Sequence, residues 1–344
     1  MGTRKRRVSV IYFISKLDKW DDLRMQIISN PTQVEIKKAA QALKDGHLVA
    51  FPTETVYGLG ADATNEKAVS RVYSVKARPT DHPLIVHISS INQLGKWAID
   101  IPEYAMKLAN EFWPGPMTLI LKRSEIAKDF ITGSQENVGV RVPSHPVALA
   151  LLTEFEKLGG LGVAAPSANR FGKVSPTSSS DVQEDLEMYL EDSDQILDGG
   201  RSSVGIESTI FNCLSESPEV LRPGSISTSQ VDKLIKAEKC FQSKLFSVNA
   251  PGLLFAHYSP RAKVFIEGVL NAGDGFLALS EVPTPSGAIR LASPETVDQF
   301  ARILYQSLRS GDKQGLKRIF VSIPHGDGVA IAIRDRIQKA ANAD

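Results

Sequence analysis

The chain has 344 residues, with 40 Lys and Arg against 39 Asp and Glu, a formal net charge of +1, and 42% hydrophobic and 23% charged residues. This is the make-up of an ordinary globular protein of about two domains, and it excludes a uniformly basic coat for nucleic acid. The two cysteines, Cys213 and Cys240, exclude a disulfide framework and fit a reducing, cytoplasmic setting, and no apolar run reaches the ~18 residues of a membrane span.

Charge is unevenly spread. Residues 1–24 hold seven basic and three acidic side chains, residues 25–262 hold 23 and 27, and residues 263–344 hold 10 and 9. The positive excess therefore lies in an N-terminal extension, and the long middle stretch is mildly acidic. The apolar segment Val8–Ile14 follows Arg4-Lys5-Arg6-Arg7 but is broken by Ser9 and lacks a small-residue cleavage site, so it does not read as a signal peptide. A start at Met25 is the simpler reading, and residues 1–27 are expected to be a disordered extension.

In chain order, Thr32 and Glu35 form a capping-box pattern that opens a helix through Leu43, stopped by Gly46. A short apolar strand at Leu48–Phe51 follows, then a helix capped by Asn65 and running to about Val75. A strand at Leu84–Ile88 and a helix at Glu103–Phe112 come next. Strands are expected at Thr118–Leu121, Val138–Val142, Gly162–Ala165 and Ser208–Asn212, with helices after Pro146 and at Asp181–Leu190. This irregular alternation predicts a mixed α/β domain rather than a simple βαβ array. Residues 223–262 lose periodicity, apart from a helix near Gln230–Ala237, and read as a linker. Beyond it, strands at Val264–Ile266, Phe276–Leu279 and Ile319–Ile323 and helices at Pro294–Leu308 and Val329–Ala340 predict a small parallel-sheet domain. The divisions are 1–27 (extension), 28–230 (first domain), 231–262 (linker) and 263–344 (second domain).

The chain lacks G-x-x-x-x-G-K-[ST], G-x-G-x-x-G after a strand, and H-E-x-x-H, so a P-loop kinase, a Rossmann dehydrogenase and a zincin are all disfavoured. It has polar clusters at strand ends instead. Phe51–Gly60 places Thr53, Glu54 and Thr55 between a strand and a glycine pair, which suits a ligand-binding turn or an ordinary hydroxyl-satisfied turn equally. Lys76 and Arg78, just past a helix, could clamp successive phosphates or merely complement the helix dipole. Ser167 and Asn169 follow an apolar strand, with Ser175 on the same loop. Arg141 lies inside an apolar strand and needs a buried partner, a role an anionic ligand could fill. His87 also lies in a strand, where a structural role is the commoner one.

The runs FPTETVYGLG (51–60), KAR (76–78), WPGPMT (113–118), GVRVP (139–143), SAN (167–169), GIESTI (205–210) and LRPG (221–224) occur in order. Together they resemble the YrdC family, the threonylcarbamoyl-AMP synthases, over residues 28–230. HYSPR (257–261) and GDGVAIAIRDRIQKAA (326–341) resemble its longer, two-domain members. The resemblance implies an open, twisted, mixed-sheet α/β domain with a large cavity, plus a small Rossmann-like C-terminal domain. It also implies a reaction of L-threonine, bicarbonate and ATP, with Mg²⁺, to give threonylcarbamoyl-AMP and pyrophosphate. A downstream tRNA threonylcarbamoyl-transferase complex would use the product beside the anticodon, with tRNA contact to this chain weak or indirect.

By the same resemblance, Lys76, Arg78, Ser167 and Asn169 carry the nucleotide chemistry. His82, Asn137, Ala165, Ser175, Arg222, His257 and Tyr258 add ATP contacts, while Thr53, Thr55, His87, Arg141 and Ser208 bind threonine. The chain departs from the family pattern at His82, where Asn is usual, and at Asn137, where Thr or Ser is frequent. His257 and Tyr258, on the linker, are expected to close over the site as a lid. The competing readings are a double-stranded RNA-binding module and a carbamoyltransferase-like enzyme.

Overall fold

The computed structural model describes residues 27–235, 241–242, 250–252 and 257–342. Apart from Ile27, the predicted N-terminal extension lies outside the described residues, as do the end of the predicted helix near Ala237 and Cys240.

Local signals form the expected elements where they are strong. The helix Gln33–Lys44 carries the full capping box: the Thr32 N–H donates to Glu35 Oε2 at 2.7 Å while Thr32 Oγ1 accepts from the Glu35 N–H. Its buried face (Ile36, Ala39, Ala40, Leu43) packs on the helix Pro146–Lys157. The helix Glu66–Lys76 is capped by Asn65 and stops at Ala77, whose φ of 49° is left-handed. That reversal separates the directions of Lys76 and Arg78.

Eleven strands make one large sheet: β1 (Ile27–Ser29), β2 (Val49–Phe51), β3 (Gly58–Asp62), β4 (Ile85–His87), β5 (Met117–Lys122), β6 (Asn137–Arg141), β7 (Val163–Ala164), β8 (Gln195–Asp198), β9 (Thr209–Asn212), β10 (Glu219–Arg222) and β11 (Phe241–Gln242). Their order is β1-β8-β2-β3-β7-β4-β6-β5-β9-β10-β11. Parallel pairs such as β4/β6 and β5/β9 alternate with antiparallel ones such as β3/β7 and β5/β6, so the sheet is mixed. A second sheet joins β12 (Lys263–Phe265), β13 (Gly275–Leu277), β14 (Ile289–Ala292) and β15 (Arg318–Val321) in the order β12-β15-β13-β14, all parallel. Helices Val297–Lys313 and Val329–Ala341 accompany it and pack on each other.

The structure departs from expectation in several elements. Gly58–Asp62, expected to belong to a turn, is a fully buried strand, because its glycines let β2 and β7 close on both sides. An added Cβ on Gly60 would lie 2.7 Å from Val163 Cγ1 and 2.8 Å from Phe51 Cε1. Strands β1, β8, β10 and β14 carried too short a pattern to stand out. The helix expected from Pro294 starts at Val297 instead, because the Thr296 side chain accepts from the Gln299 N–H and takes the cap.

The two sheets share a core. One apolar cluster joins Val56, Val174 and Ile206, from loops of the large sheet, to Phe300, Leu304, Tyr305, Leu308, Ile333 and Ile337 of the C-terminal helices, with Tyr258 among them. Arg309 reinforces the seam, donating to both Asp185 oxygens at 3.0 and 2.6 Å and to the Val174 carbonyl at 2.6 Å.

Candidate active site

A cavity opens where these loops meet. Its floor is the end of two parallel strands, where His87 and Arg141 are register partners. Arg141 donates to Glu54 Oε1 at 2.7 Å and to the Gly115 carbonyl, and the second Glu54 oxygen accepts from the Ser144 N–H. The buried partner that an arginine in an apolar strand requires is thus Glu54. Burial and the neighbouring Arg141 push His87 down to about 3, so its imidazole is neutral at pH 7. Its Nδ1 is buried and meets no partner among the described residues.

The loop after β2 is a hydroxyl-built turn. Thr53 Oγ1 donates to the Val56 carbonyl at 2.6 Å and accepts from the Thr55 and Val56 N–H groups and from the Thr55 hydroxyl at 2.8 Å. This turn hangs on the Ser167 loop: the Leu59 N–H donates to the Pro166 carbonyl, and the Ala168 N–H to the Tyr57 carbonyl. Ala165 and Ser167 line the cavity opposite Thr53 and Thr55.

Two more guanidinium groups face the cavity. Arg78 donates to the His82 and Pro83 carbonyls, and its guanidinium lies 5.6 Å from the Phe171 ring centre. Burial lowers it to about 10. Arg222 donates to the Ser208 carbonyl and hydroxyl and to the Pro251 carbonyl; burial lowers it too. Ser208 Oγ in turn bonds Thr118 Oγ1 at 2.8 Å. Neither Arg78 nor Arg222 makes a direct ion pair among the described residues, although Glu207 acts on Arg222 through space. Buried cations without paired anions favour anionic ligands.

Of the residues singled out from sequence, Thr53, Thr55, Arg78, His87, Arg141, Ala165, Ser167, Ser208, Arg222, His257 and Tyr258 line this cavity. Lys76, His82, Asn169 and Ser175 lie just behind it, whereas Asn137 is not brought to it, standing at the end of β6 opposite Arg141. Lys76 is buried under the Ser167–Asn169 turn and donates to the Ser167 carbonyl at 2.5 Å and to the Asn169 carbonyl. Burial, with Arg78 nearby, pushes its ammonium well below the usual lysine range. Asn169 donates to the Arg170 and Lys173 carbonyls, and its buried Oδ1 is unpartnered among the described residues. His82 packs edge-on against Phe171, Ser175 donates to Glu207 at 2.6 Å, and Asn137 opens β6.

Glu207, inside the GIESTI run, lines the cavity and was not assigned from sequence. Burial opposes its ionisation, but Arg336, Arg222 and the Ser175 hydroxyl outweigh it and hold the carboxyl at about 2. Among the described residues no group of three or more His, Cys, Asp or Glu side chains could hold a metal ion.

A fold of two joined sheets, with three buried arginines around one cavity, defines a site that gathers anionic groups. Comparison with known proteins makes the assignment specific. Residues 41–224 match the Sua5–YciO–YrdC family model, described as telomere recombination, and residues 226–342 match the threonylcarbamoyl-AMP synthase C-terminal domain. The threonylcarbamoyl-AMP synthase of Pyrococcus abyssi is 39% identical, over 89% of this chain and 94% of its own. That of Bacillus subtilis is 37% identical over 95% and 98%. The crystal structure of P. abyssi Sua5 complexed with L-threonine superposes with a TM-score of 0.83 at 36% identity, covering 92% of this chain and 98% of that one. The chain therefore belongs to the Sua5–YciO–YrdC family, and within it to the two-domain threonylcarbamoyl-AMP synthases. No helix among the described residues is long and apolar enough to cross a membrane.

Proposed function

We propose that this cavity joins L-threonine, bicarbonate and ATP into threonylcarbamoyl-AMP and pyrophosphate. The observation that carries the reading is the convergence of Arg78, Arg141 and Arg222 on one buried cavity in a mildly acidic stretch of chain. All three substrates carry negative charge where they would meet these groups.

Threonine occupies the floor. Arg141, oriented by Glu54, takes its carboxylate, and Thr55 and Ser208 offer hydroxyls, with Thr53 bracing Thr55. His87, held at about 3, is too weak a base to keep a proton from the ammonium at pH 7, so it orients threonine by hydrogen bonding. ATP lies across Arg78, Ser167, the Ala165 backbone and Arg222, under His257 and Tyr258. Lys76 and Asn169 act from beneath by fixing the Ser167 loop. Ser175 and His82 complete the nucleotide side. Mg²⁺, brought in with ATP, would supply charge neutralisation for the leaving pyrophosphate.

Once its ammonium proton is lost to solvent, the threonine amine adds to bicarbonate with loss of water, or to carbon dioxide with loss of a second proton, to give a carbamate. A carbamate oxygen then attacks the α-phosphorus, a new P–O bond forms, and the bond to pyrophosphate breaks. The chain's part is to align the reactants, stabilise charge and exclude water. Exclusion matters because the mixed anhydride formed is open to hydrolysis. The product then passes to the complex that modifies tRNA.

The test is incubation with ATP, Mg²⁺, bicarbonate and labelled threonine. Pyrophosphate release that needs both threonine and bicarbonate is expected; release independent of either refutes the reading. Replacing His257 and Tyr258 together with Ala is expected to impair synthesis and leave the fold intact; unchanged turnover removes the lid.

A further inference from the structure

We propose that Tyr305 and Arg336, both from the C-terminal helices, are positioning residues of the adenylation site, holding Tyr258 and His257 closed over the nucleotide. The inference rests on the function proposed above and names what supplies the closed form. Five rings touch in series from one domain to the other. His82 meets Phe171 with centres 5.3 Å apart, Phe171 meets His257 at 5.9 Å, His257 meets Tyr258 at 4.1 Å, and Tyr258 stacks on Tyr305 at 5.7 Å. A cation lies against the chain on each side of the seam: the Arg78 guanidinium 5.6 Å from the Phe171 centre, and that of Arg336 5.3 Å from the Tyr258 centre.

The two C-terminal residues are themselves fixed to the cavity wall. Arg336 is fully buried and donates from Nε to Glu207 Oε2 at 2.9 Å. The Tyr305 hydroxyl donates to the same carboxylate, 2.9 Å from Oε2. Glu207 thus ties together the cavity, both C-terminal helices and the ring that covers the cavity. Helix 329–341 also holds the covering segment by its backbone: Lys339 Nζ donates to the Gly252 carbonyl at 2.8 Å, and the Lys339 carbonyl accepts from the His257 N–H.

Tyr258 needs such support. Its φ of 63° is a left-handed conformation that a bulky L residue rarely adopts, and one that persists only where the surroundings impose it. Its buried hydroxyl meets no partner among the described residues and lies close to Gly252 and Arg222, at the cavity. One face of the ring is therefore clamped by the second domain while its polar tip is left for the nucleotide side.

The experiment compares the full chain with Arg336→Met, Arg336→Lys, Tyr305→Leu and Tyr305→Phe. Pyrophosphate kinetics are read beside hydroxyl-radical footprinting of Tyr258, with the buried Trp97 of the large-sheet core, away from the cavity, as the internal standard for unfolding. Arg336→Met and Tyr305→Leu are expected to expose Tyr258 alone and raise the KM for ATP at least tenfold, with a smaller change for threonine. Tyr305→Phe, which keeps the stack, is expected to restore most of the KM, and Arg336→Lys, which keeps the charge beside Glu207, part of it. The proposal is overturned if Tyr258 stays protected, if Trp97 becomes labelled with it, or if Tyr258 is exposed while the KM for ATP is unchanged. Absence of pyrophosphate release from the unmodified chain would sink the proposed function instead, and the footprint would still decide whether the two residues hold Tyr258.

Discussion

Acidification from pH 7 to pH 5 is expected to weaken the fold through two buried imidazoles. His87 and His257 are 4% and 7% exposed, and burial is the main cause that holds each at about 3. A free histidine titrates near 6.5. The unfolded chain therefore takes up protons that the folded chain refuses, so the stability present above about 6.5 is lost as pH falls toward 3. Each group contributes about 1.4 kcal/mol per pH unit in that window, or about 2 kcal/mol by pH 5. The groups around them bear this out. Arg141 opposes charge on His87, while Lys76, Arg78 and Lys339 oppose it on His257 against the single attraction of Glu207. His82 and His145, also lowered by burial, act in the same direction. Glu207, held at about 2, loses its contribution only at lower pH, so the window belongs to the histidines. Urea midpoints at pH 7, 6 and 5 read the slope directly, and His257→Gln is expected to reduce it by about one proton. A midpoint unchanged between pH 7 and 5, or an unaltered slope in the variant, would refute the reasoning.

Three further outcomes follow from the geometry. Gly252 has a φ of +81°, and an added Cβ would lie 2.3 Å from the Tyr258 hydroxyl and 3.2 Å from Arg222 Cδ; Gly252→Ala is expected to lower kcat/KM for ATP about tenfold, about 1.4 kcal/mol, with little change in Tm. Lys76→Met leaves two buried carbonyls without their charged donor, and a loss of about 3 kcal/mol in chemical denaturation should accompany a raised KM for ATP. Glu54→Gln removes the charge that balances buried Arg141, with an expected cost of about 3 kcal/mol in thermal unfolding and weaker threonine binding by calorimetry.

The sequence was most readable where one signal sufficed. Thr32 with Glu35, and Asn65 ahead of an apolar period, specify helix starts by local hydrogen bonds alone. The polar clusters at strand ends were visible too, because hydroxyls and cations next to glycine are poor core material. What joins them was hidden. Arg141 demanded a partner, but nothing in its spacing names Glu54, 87 residues earlier. Glu207 stood inside a recognised run, yet its significance depends on Tyr305 and Arg336 arriving from the other domain. Lys76 shows the opposite limit. Its residue type suggested a direct phosphate contact, whereas its place on the buried face of the helix Glu66–Lys76 turns it inward beneath the loop. Strand β3 was missed because its glycines, read locally, mean a turn, and only the tightness of its neighbours makes them necessary.

The order of the large sheet also imposes an order in time. β8 is inserted between β1 and β2 and pairs in parallel with both, Ile27 with Ile196 and Val49 with Gln195. At a synthesis rate of roughly 5–20 residues per second, the early strands wait on the order of ten seconds for that partner to be made. During that interval β2 has β3 on one side and a bare ladder on the other. Such an edge is an invitation to foreign strands, and the high sequence separation makes closure slow. The free side of β2 in nascent chains of this protein is therefore open to foreign strands until residues 195–198 emerge and cover it.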